Sequence, residues 1–569
     1  MRFLTAAILF VVSAALLLTG IAERTIWHPP ASISRVINLG VSAPFVILNH
    51  SVLAMNEGNP TLHVSSDRFS FVAVGRQSDV KAWVGNSNHS DVTAVGSGVG
   101  AHIIANKANG SAVVANPANS DLWREQVSAA GDVSLKINSD QRAAVLVASN
   151  GFEKAPGRLE LVWPIIFDPT PSRVLLIAGT VFLVASVIVN WWAWYQMRKE
   201  RGPRRKTPKA PQGPKLRRSK RSKSAAPVKG RRSARNFTAL VSGGLILATL
   251  TGCAYVDPQA TATPTKGSVI QQPPVVSMSQ LRRIVSAISS EVATADAARD
   301  PKLLQGRVAG PAMAARSAYY QLQKASKKVA DLPPIATAQI NLALPAASQE
   351  WPRTVMAITS TGSSDTLPQM LVLQQASPRE QYKLWYDIDM LPGVKLPAVN
   401  TVETGAIPVA PDSLFLKIAP NALPSRFGDL LDLGTSSQSA MMFNVANDEY
   451  YQQISASLKS QQQTLANATI KVTHSLGDPN VLSLATVDSG ALVAVYMSDT
   501  YVIKPKDRTQ AVAVSGNEKL LLGSAGSATG IKSTYGSMLL FYVPANSSTT
   551  KDRIVTLGAT PVLIKVASL

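Results

Sequence analysis

Three stretches of the chain are apolar almost without interruption. Residues 3–22 and 174–195 are each long enough to cross a hydrocarbon core of about 30 Å at about 1.5 Å per residue. Residues 237–250 are shorter and reach spanning length only if carried on to Val256. The first run reads either as a retained anchor or as a signal peptide, since Gly20-Ile21-Ala22 offers a small-x-small cleavage site. The second ends in Trp191, Trp192, Trp194 and Tyr195, with Arg198, Lys199 and Arg201 directly after. That order belongs to a helix running outward-to-inward, because aromatic rings favour headgroups and Lys/Arg-rich loops stay cytoplasmic.

Elsewhere two shorter periods take over. Between 23 and 172, strand-forming runs such as 69–74 and 143–148 are separated by Gly/Asn/Ser/Asp clusters, and 159–163 alternates. This predicts an N-terminal extracytoplasmic β-sandwich of about 130–150 residues, with 74–83 a strand followed by a short helix. Past the second span, Leu281, Ile284, Val285, Ile288 and Val292 recur at helical spacing. Pro311 starts a second helix carrying Ala315, Ala318, Tyr319, Leu322 and Val329, which Pro333-Pro334 stops. Strands follow at 354–358, 370–374 and 383–388. A helix with Tyr450, Ile454, Leu458 and Leu465 in register then precedes strands at 481–487, 491–497, 510–514, 538–543 and 562–567. Helices then a sheet, twice, predict α+β units at 277–440 and 441–569. The order resembles two tandem cone-like folds of the nuclear-transport-factor-2-like (NTF2-like) kind.

Composition sharpens this into a multi-domain membrane protein. At 569 residues the chain exceeds one compact domain, and 46% hydrophobic against 16% charged residues is charge-poor for a soluble protein. The net charge is +21, yet the tract 198–235 alone holds 17 Lys/Arg against one acid, Glu200. The excess therefore describes one Pro-rich disordered loop and not a whole surface. It reads first as a cytoplasmic topology determinant and second as a site for anionic lipid. Nucleic acid is disfavoured, because no aromatic residue within the tract offers a base a stacking platform.

Cys253 is the one cysteine, so neither an intramolecular disulfide nor a cysteine zinc site can form. Its setting is informative. A basic stretch ending at Arg235, the apolar run 237–250 and then Leu250-Thr251-Gly252-Cys253 together resemble a bacterial lipoprotein signal with its lipobox. The resemblance implies a diacylglycerol on the Cys253 thiol and cleavage after Gly252. It departs from that pattern in being internal, and a plain third transmembrane helix over 237–256 is the other reading.

The resulting order is a signal anchor or transmembrane helix (1–22), β-rich domain (23–172), transmembrane helix (173–197), basic cytoplasmic loop (198–236), the lipobox segment (237–256), a Pro/Thr/Gln-rich tether (257–276) and the two α+β units. Residues 23–172 and 257–569 then lie outside the cell membrane. In the last region, Trp351-Pro352-Arg353, 371–385 (LVLQQASPREQYKLW) and Leu391-Pro392-Gly393 are similar to an uncharacterised family of actinobacterial membrane-anchored proteins. That resemblance implies a compartment, and no catalytic residues come with it.

Chemical motifs are sparse. The six histidines make no H-x-x-x-H or H-E-x-x-H pattern, so no metal ligands are assigned. Gly96-Ser97-Gly98-Val99-Gly100 reads as a hairpin turn, and Ser78–Lys81 and Ser548–Lys551 match S-x-x-K without its partner motifs. Asp387 and Asp389 share one strand face, a solvated edge or a carboxylate pair. Tyr382, Trp385, Tyr386 and Trp351 read as core before pocket. No catalytic, cofactor or metal residue follows from these patterns. The expectation is a non-enzymatic envelope protein presenting binding domains to a protein, peptide or wall polymer. An enzyme or accessory subunit of cell-wall or glycan metabolism is the alternative.

Overall fold

The computed structural model of the protein describes residues 2–27, 30–40, 42–110, 115–138, 140, 142–165, 170–200, 272–464, 467–507, 509–549 and 551–569. Cys253, the lipobox residues Leu250, Thr251 and Gly252, the tether and most of the basic tract lie outside the described residues. The chain divides into two compact units, Met1–His28 with Asp168–Ile270, and Pro29–Phe167 with Gln271–Leu569. The two regions expected as separate exported modules therefore form one body.

In the first unit, the helices Arg2–Thr25 and Thr170–Glu200 are long and apolar enough to cross a membrane. Where nearly every side chain is apolar, hydrophobicity cannot select the contact face, and close backbone approach does so. The buried positions are small and fall every seventh residue: Ala6, Ser13 and Gly20 on one helix, Ser172, Gly179, Ser186 and Ala193 on the other. Ser13 Oγ donates to the Gly179 carbonyl at 2.7 Å, and Ser186 Oγ to the Ala6 carbonyl at 2.9 Å. Arg24 Nε donates to Ser172 Oγ at 3.2 Å. These pairings make the helices antiparallel. A Cβ on Gly179 would stand 2.8 Å from Leu17 Cγ, so the approach requires glycine.

The second unit has an N-terminal and a C-terminal lobe. In the N-terminal lobe a four-stranded sheet runs Ser32–Asn38, Arg158–Pro164, Thr61–Ser65, Val133–Lys136. A six-stranded sheet runs His102–Ala108, His89–Val95, Phe45–Leu48, Ala143–Ala148, Phe69–Arg76, Glu125–Ala130. The two share one core, including Val46, Leu62, Val72, Val145, Leu161 and Trp163. The region departs from a plain antiparallel sandwich in two ways. Phe45–Leu48 and His89–Val95 pair in parallel, and the helix Gln77–Val84 covers the far face of the larger sheet. Three central strands are thus buried on both sides, which is why they read as unbroken apolar runs. Their alternate residues Phe45, Phe71, Ala144 and Leu146 join Val80, Trp83 and Trp123 in a second core.

The C-terminal lobe opens with the helix Met278–Ala298, started by a Ser277/Gln280 capping box, and buries Leu281, Ile284, Val285, Ile288 and Val292 as their spacing predicts. The next helix, Gly310–Ala325, stops short of Pro333-Pro334. Ser326 is extended there, and its hydroxyl accepts the Lys328 amide, a local bond that competes with helix continuation. An antiparallel meander follows: Gln339–Pro345, Arg353–Ser360, Gln369–Gln375, Lys383–Asp389. The second sheet joins Ala468–Leu476, Leu482–Ala485, Ala491–Pro505, Ile531–Val543 and Val555–Ser568. Leu344, Val372 and Tyr386 of the first sheet share one core with Leu484, Leu492, Leu540 and Leu557 of the second. The two α+β units are therefore not separate globules.

The helix pair makes a direct prediction. In a Cys253→Ser background, cysteines placed at Ala6 and Ser186 should oxidise readily to an intramolecular disulfide. Adding Gly179→Leu, an overpacking that costs about 1–3 kcal/mol, should abolish most of that yield on non-reducing electrophoresis.

Candidate functional site

The most elaborate polar arrangement among the described residues lies where the two lobes meet. Arg76 ends a strand, and Asp79 sits in the first turn of the helix that follows. Arg76 Nε and Nη2 grip the two Asp79 oxygens at 2.7 and 3.1 Å. From the other lobe, Arg353 Nη2 donates to Asp79 Oδ1 at 2.8 Å and to the Gln349 carbonyl at 3.2 Å. Arg353 is 0% exposed, and its guanidinium lies 3.5 Å from the centre of the Trp351 ring. Burial pushes the Arg353 pKa down, and Asp79 opposes the shift. One buried carboxylate thus serves two cations. Arg353 Nε, Arg353 Nη1 and the Tyr382 hydroxyl are buried without hydrogen-bond partners among the described residues.

A second pair repeats the device. Arg307 Nη1 and Nη2 reach Asp121 at 2.5 and 3.2 Å, and Asp121 Oδ2 accepts the Tyr382 amide at 2.8 Å. Three further side chains of the C-terminal lobe end on backbone carbonyls of the N-terminal one. Gln280 Nε2 donates to Asp121 and Leu122, and Arg283 to Trp123 and Arg124. Arg379 donates to Trp83 at 2.9 Å and Val84 at 3.0 Å, and to Ser87 Oγ at 2.7 Å. The Trp83 and Val84 carbonyls close the helix Gln77–Val84, where a cation also meets the negative end of the helix dipole. In return Arg76 Nη1 holds the Pro273 and Pro274 carbonyls at 3.2 and 2.8 Å. Beside this seam a cleft of about 800 Å³ is bordered by Arg76, Asp79, Arg124, Asp140, Gln280 and Arg283. Arg124 and Asp140, both on its lining, pair with each other. The seam pairs protein with protein: its polar groups are taken up by side chains and carbonyls of the two lobes. Among the described residues no three His, Cys, Asp or Glu side chains group as metal ligands.

The residues singled out from sequence lie apart from the seam or form its lining. Asp387 accepts from Arg316 Nη2 at 3.2 Å, and Arg316 is held bidentately by Asp296. Asp387 and Asp389 border a hollow of about 70 Å³ with Arg316, Gln369 and Thr560. Burial pushes the Asp389 carboxyl up to about 6, with Asp387 adding to the effect. Tyr382 and Tyr386 are core residues, Trp385 is partly buried, and Trp351 packs against the Phe45–Trp83–Trp123 cluster. No motif marked the seam residues Asp121 and Arg307, and nothing local ties Asp79 to Arg353; the partners lie 186 and 274 positions apart.

His474, to which no sequence pattern gave a role, sits in a carboxylate cage. Its Nδ1 is 2.6 Å from Asp499 Oδ1, its Nε2 is 3.4 Å from Asp432 Oδ1, and Ser537 Oγ donates to Asp499 Oδ2 at 3.0 Å. Burial alone would lower the His474 pKa, but the bond to Asp499 and the Asp432 charge outweigh it and raise the value above 6.5.

Two expectations follow. Asp79→Ala leaves Arg76 and Arg353 facing each other without their carboxylate and should cost about 3–5 kcal/mol in denaturant unfolding. Arg283→Ala, on the exposed rim, should cost under about 1 kcal/mol. Because the folded pKa of His474 is raised, its stabilising contribution is complete below pH 6.5 and is lost as pH rises through the folded value. His474→Gln should remove that part of the pH dependence when unfolding is followed from pH 5 to 9.

Comparison with known proteins places the C-terminal lobe and says nothing of chemistry. No curated protein and no solved structure matches the chain. A family model described as "Domain of unknown function (DUF8094)" matches residues 272–562, more than half of the sequence and nearly all of the C-terminal lobe. The seam is therefore the place where this lobe meets a partner lobe that the model does not cover, and the chain belongs to the DUF8094 family.

Proposed function

We propose that the protein is a non-enzymatic, membrane-anchored component of an actinobacterial cell envelope. In it the N-terminal lobe is a fixed receptor for the family domain. The observation that carries this reading is the Asp79 carboxylate bound by one guanidinium from each lobe, out of water. Removing one partner of such a buried set leaves an uncompensated charge, so the contact favours the one arrangement in which all three groups meet. The combined body, its C-terminal part read as two NTF2-like cones sharing a core, would present a surface to a protein, peptide or wall polymer outside the membrane. Two apolar helices and the basic tract after the second support that topology.

The lipobox reading gives the seam a purpose. Lipidation of Cys253 with cleavage after Gly252 would yield a membrane subunit and a lipoprotein, and the seam would then be a subunit interface. Tags at both ends, with mass spectrometry of the peptide around Cys253, test this. Two products carrying a diacylglycerol on Cys253 are expected, co-purifying through either tag. Asp79→Ala with Asp121→Ala should separate them. One band near 60.4 kDa with a free thiol would sink the lipoprotein part and leave the seam an intramolecular joint.

A further inference from the structure

The helix Thr170–Glu200 has a second specialised face, opposite its small-residue seam. Val187, Ile188, Trp191, Trp192 and Tyr195 line an apolar groove of about 500 Å³. These positions follow i, i+1, i+4, i+5 and i+8 spacing and so share one side of the helix. Ser186 and Ala193 face the other way, towards Arg2–Thr25. Trp191 and Tyr195 are 68% and 52% exposed, so the rings are presented outward.

Two cations lie at the end of the groove, each against an aromatic ring. The Arg198 guanidinium lies 3.6 Å from the Trp194 ring centre, and the Lys199 ammonium 5.0 Å from that of Tyr195. The Trp194 ring itself is 5.9 Å from that of Trp191. Cation–π contact holds both cations beside the aromatic rings instead of leaving them free in solvent. An aromatic groove ending in two positioned cations is complementary to a ligand with a long apolar tail and an anionic head.

We propose that this face binds one anionic phospholipid, its acyl chain along Val187, Trp191 and Tyr195 and its phosphate at Arg198 and Lys199. The inference rests on the reading that this helix spans a membrane. It goes further in naming a single site on the helix, distinct from diffuse attraction by the basic tract.

The test uses the full chain in mixed micelles of phosphatidylglycerol and phosphatidylcholine, with retained lipid counted by native mass spectrometry. One phosphatidylglycerol per chain is expected, favoured roughly tenfold over phosphatidylcholine. Arg198→Gln with Lys199→Gln should remove the headgroup preference. Trp191→Ala with Tyr195→Ala should remove the retained lipid, while the Ala6–Ser186 cross-link remains as evidence that the helix pair is intact. Preference that survives the aromatic variant would assign the lipid to the basic tract and overturn the proposal. Displacement by inorganic phosphate would overturn it as well, since a free anion would then suffice. A chain that is soluble without detergent would defeat the membrane reading itself, an outcome separate from a membrane-bound chain with no lipid preference.

Discussion

Asp79 is the group on which the second unit depends. It lies 2% exposed between Arg76 and Arg353. Taking three charges out of water costs several kcal/mol for each ion, and their attraction offsets this only while all three are in place. Such a contact is a weak source of net stability but a strict one of geometry. Asp121 and Arg307 provide a second fixed point, and the contacts of Gln280, Arg283 and Arg379 supply the further ones needed to fix the rotation of one lobe on the other. The contacts to backbone around them follow the same logic from a different direction. Gln280, Arg283 and Arg379 end on backbone carbonyls, so the receiving surface is read by the course of its chain more than by its side chains.

How much of this was legible in the sequence depends on distance along the chain. The helix Met278–Ala298 declared itself through spacing, because one face meets the core and the other meets water. The strand Ala468–Leu476 was missed although its burial alternates, since Thr469, Lys471 and Thr473 dilute its apolar signal at a sheet edge. Leu423–Leu433 was missed as well. Its Leu423, Phe427, Leu430 and Leu431 have helical spacing, but only 11 residues with Pro424 and Gly428 among them give a weak helical signal. The pairing face of the apolar helices was present as a seven-residue repeat of Ala, Ser and Gly, which a hydropathy reading treats as filler. Asp79 and Arg353 left no trace of their pairing, because nothing local constrains residues so far apart.

One signal in the sequence does point to the seam. The segments similar to the uncharacterised family include Trp351-Pro352-Arg353, Arg379 and Tyr382. In the structure Trp351 packs on the other lobe's aromatic cluster, Arg353 reaches Asp79, Arg379 closes the helix Gln77–Val84, and the Tyr382 amide binds Asp121. Several of the family-like residues are therefore ones that meet the N-terminal lobe. By contrast, the acidic pair chosen for possible chemistry, Asp387 and Asp389, belongs to a small hollow with Arg316 and not to the seam. Recognition residues are set by a partner, and carboxylates near a core are set by the charges they must balance.

The seam also bears on what covalent continuity means for this chain. Pro164 and Pro273, the last strand residue of one lobe and a seam contact of the other, are more than a hundred positions apart, with a long apolar helix and the basic tract between them. A connection of that length raises the local concentration of one lobe near the other only modestly, to the order of millimolar for short flexible linkers and less for longer ones. It supplies no orientation. Orientation comes from Asp79 and Asp121, and these act equally on a continuous chain and on a divided one. An interface that relied on its linker would need few buried charges. This one places two carboxylates and three guanidiniums in a buried seam, the arrangement expected where two bodies must find a single register by themselves.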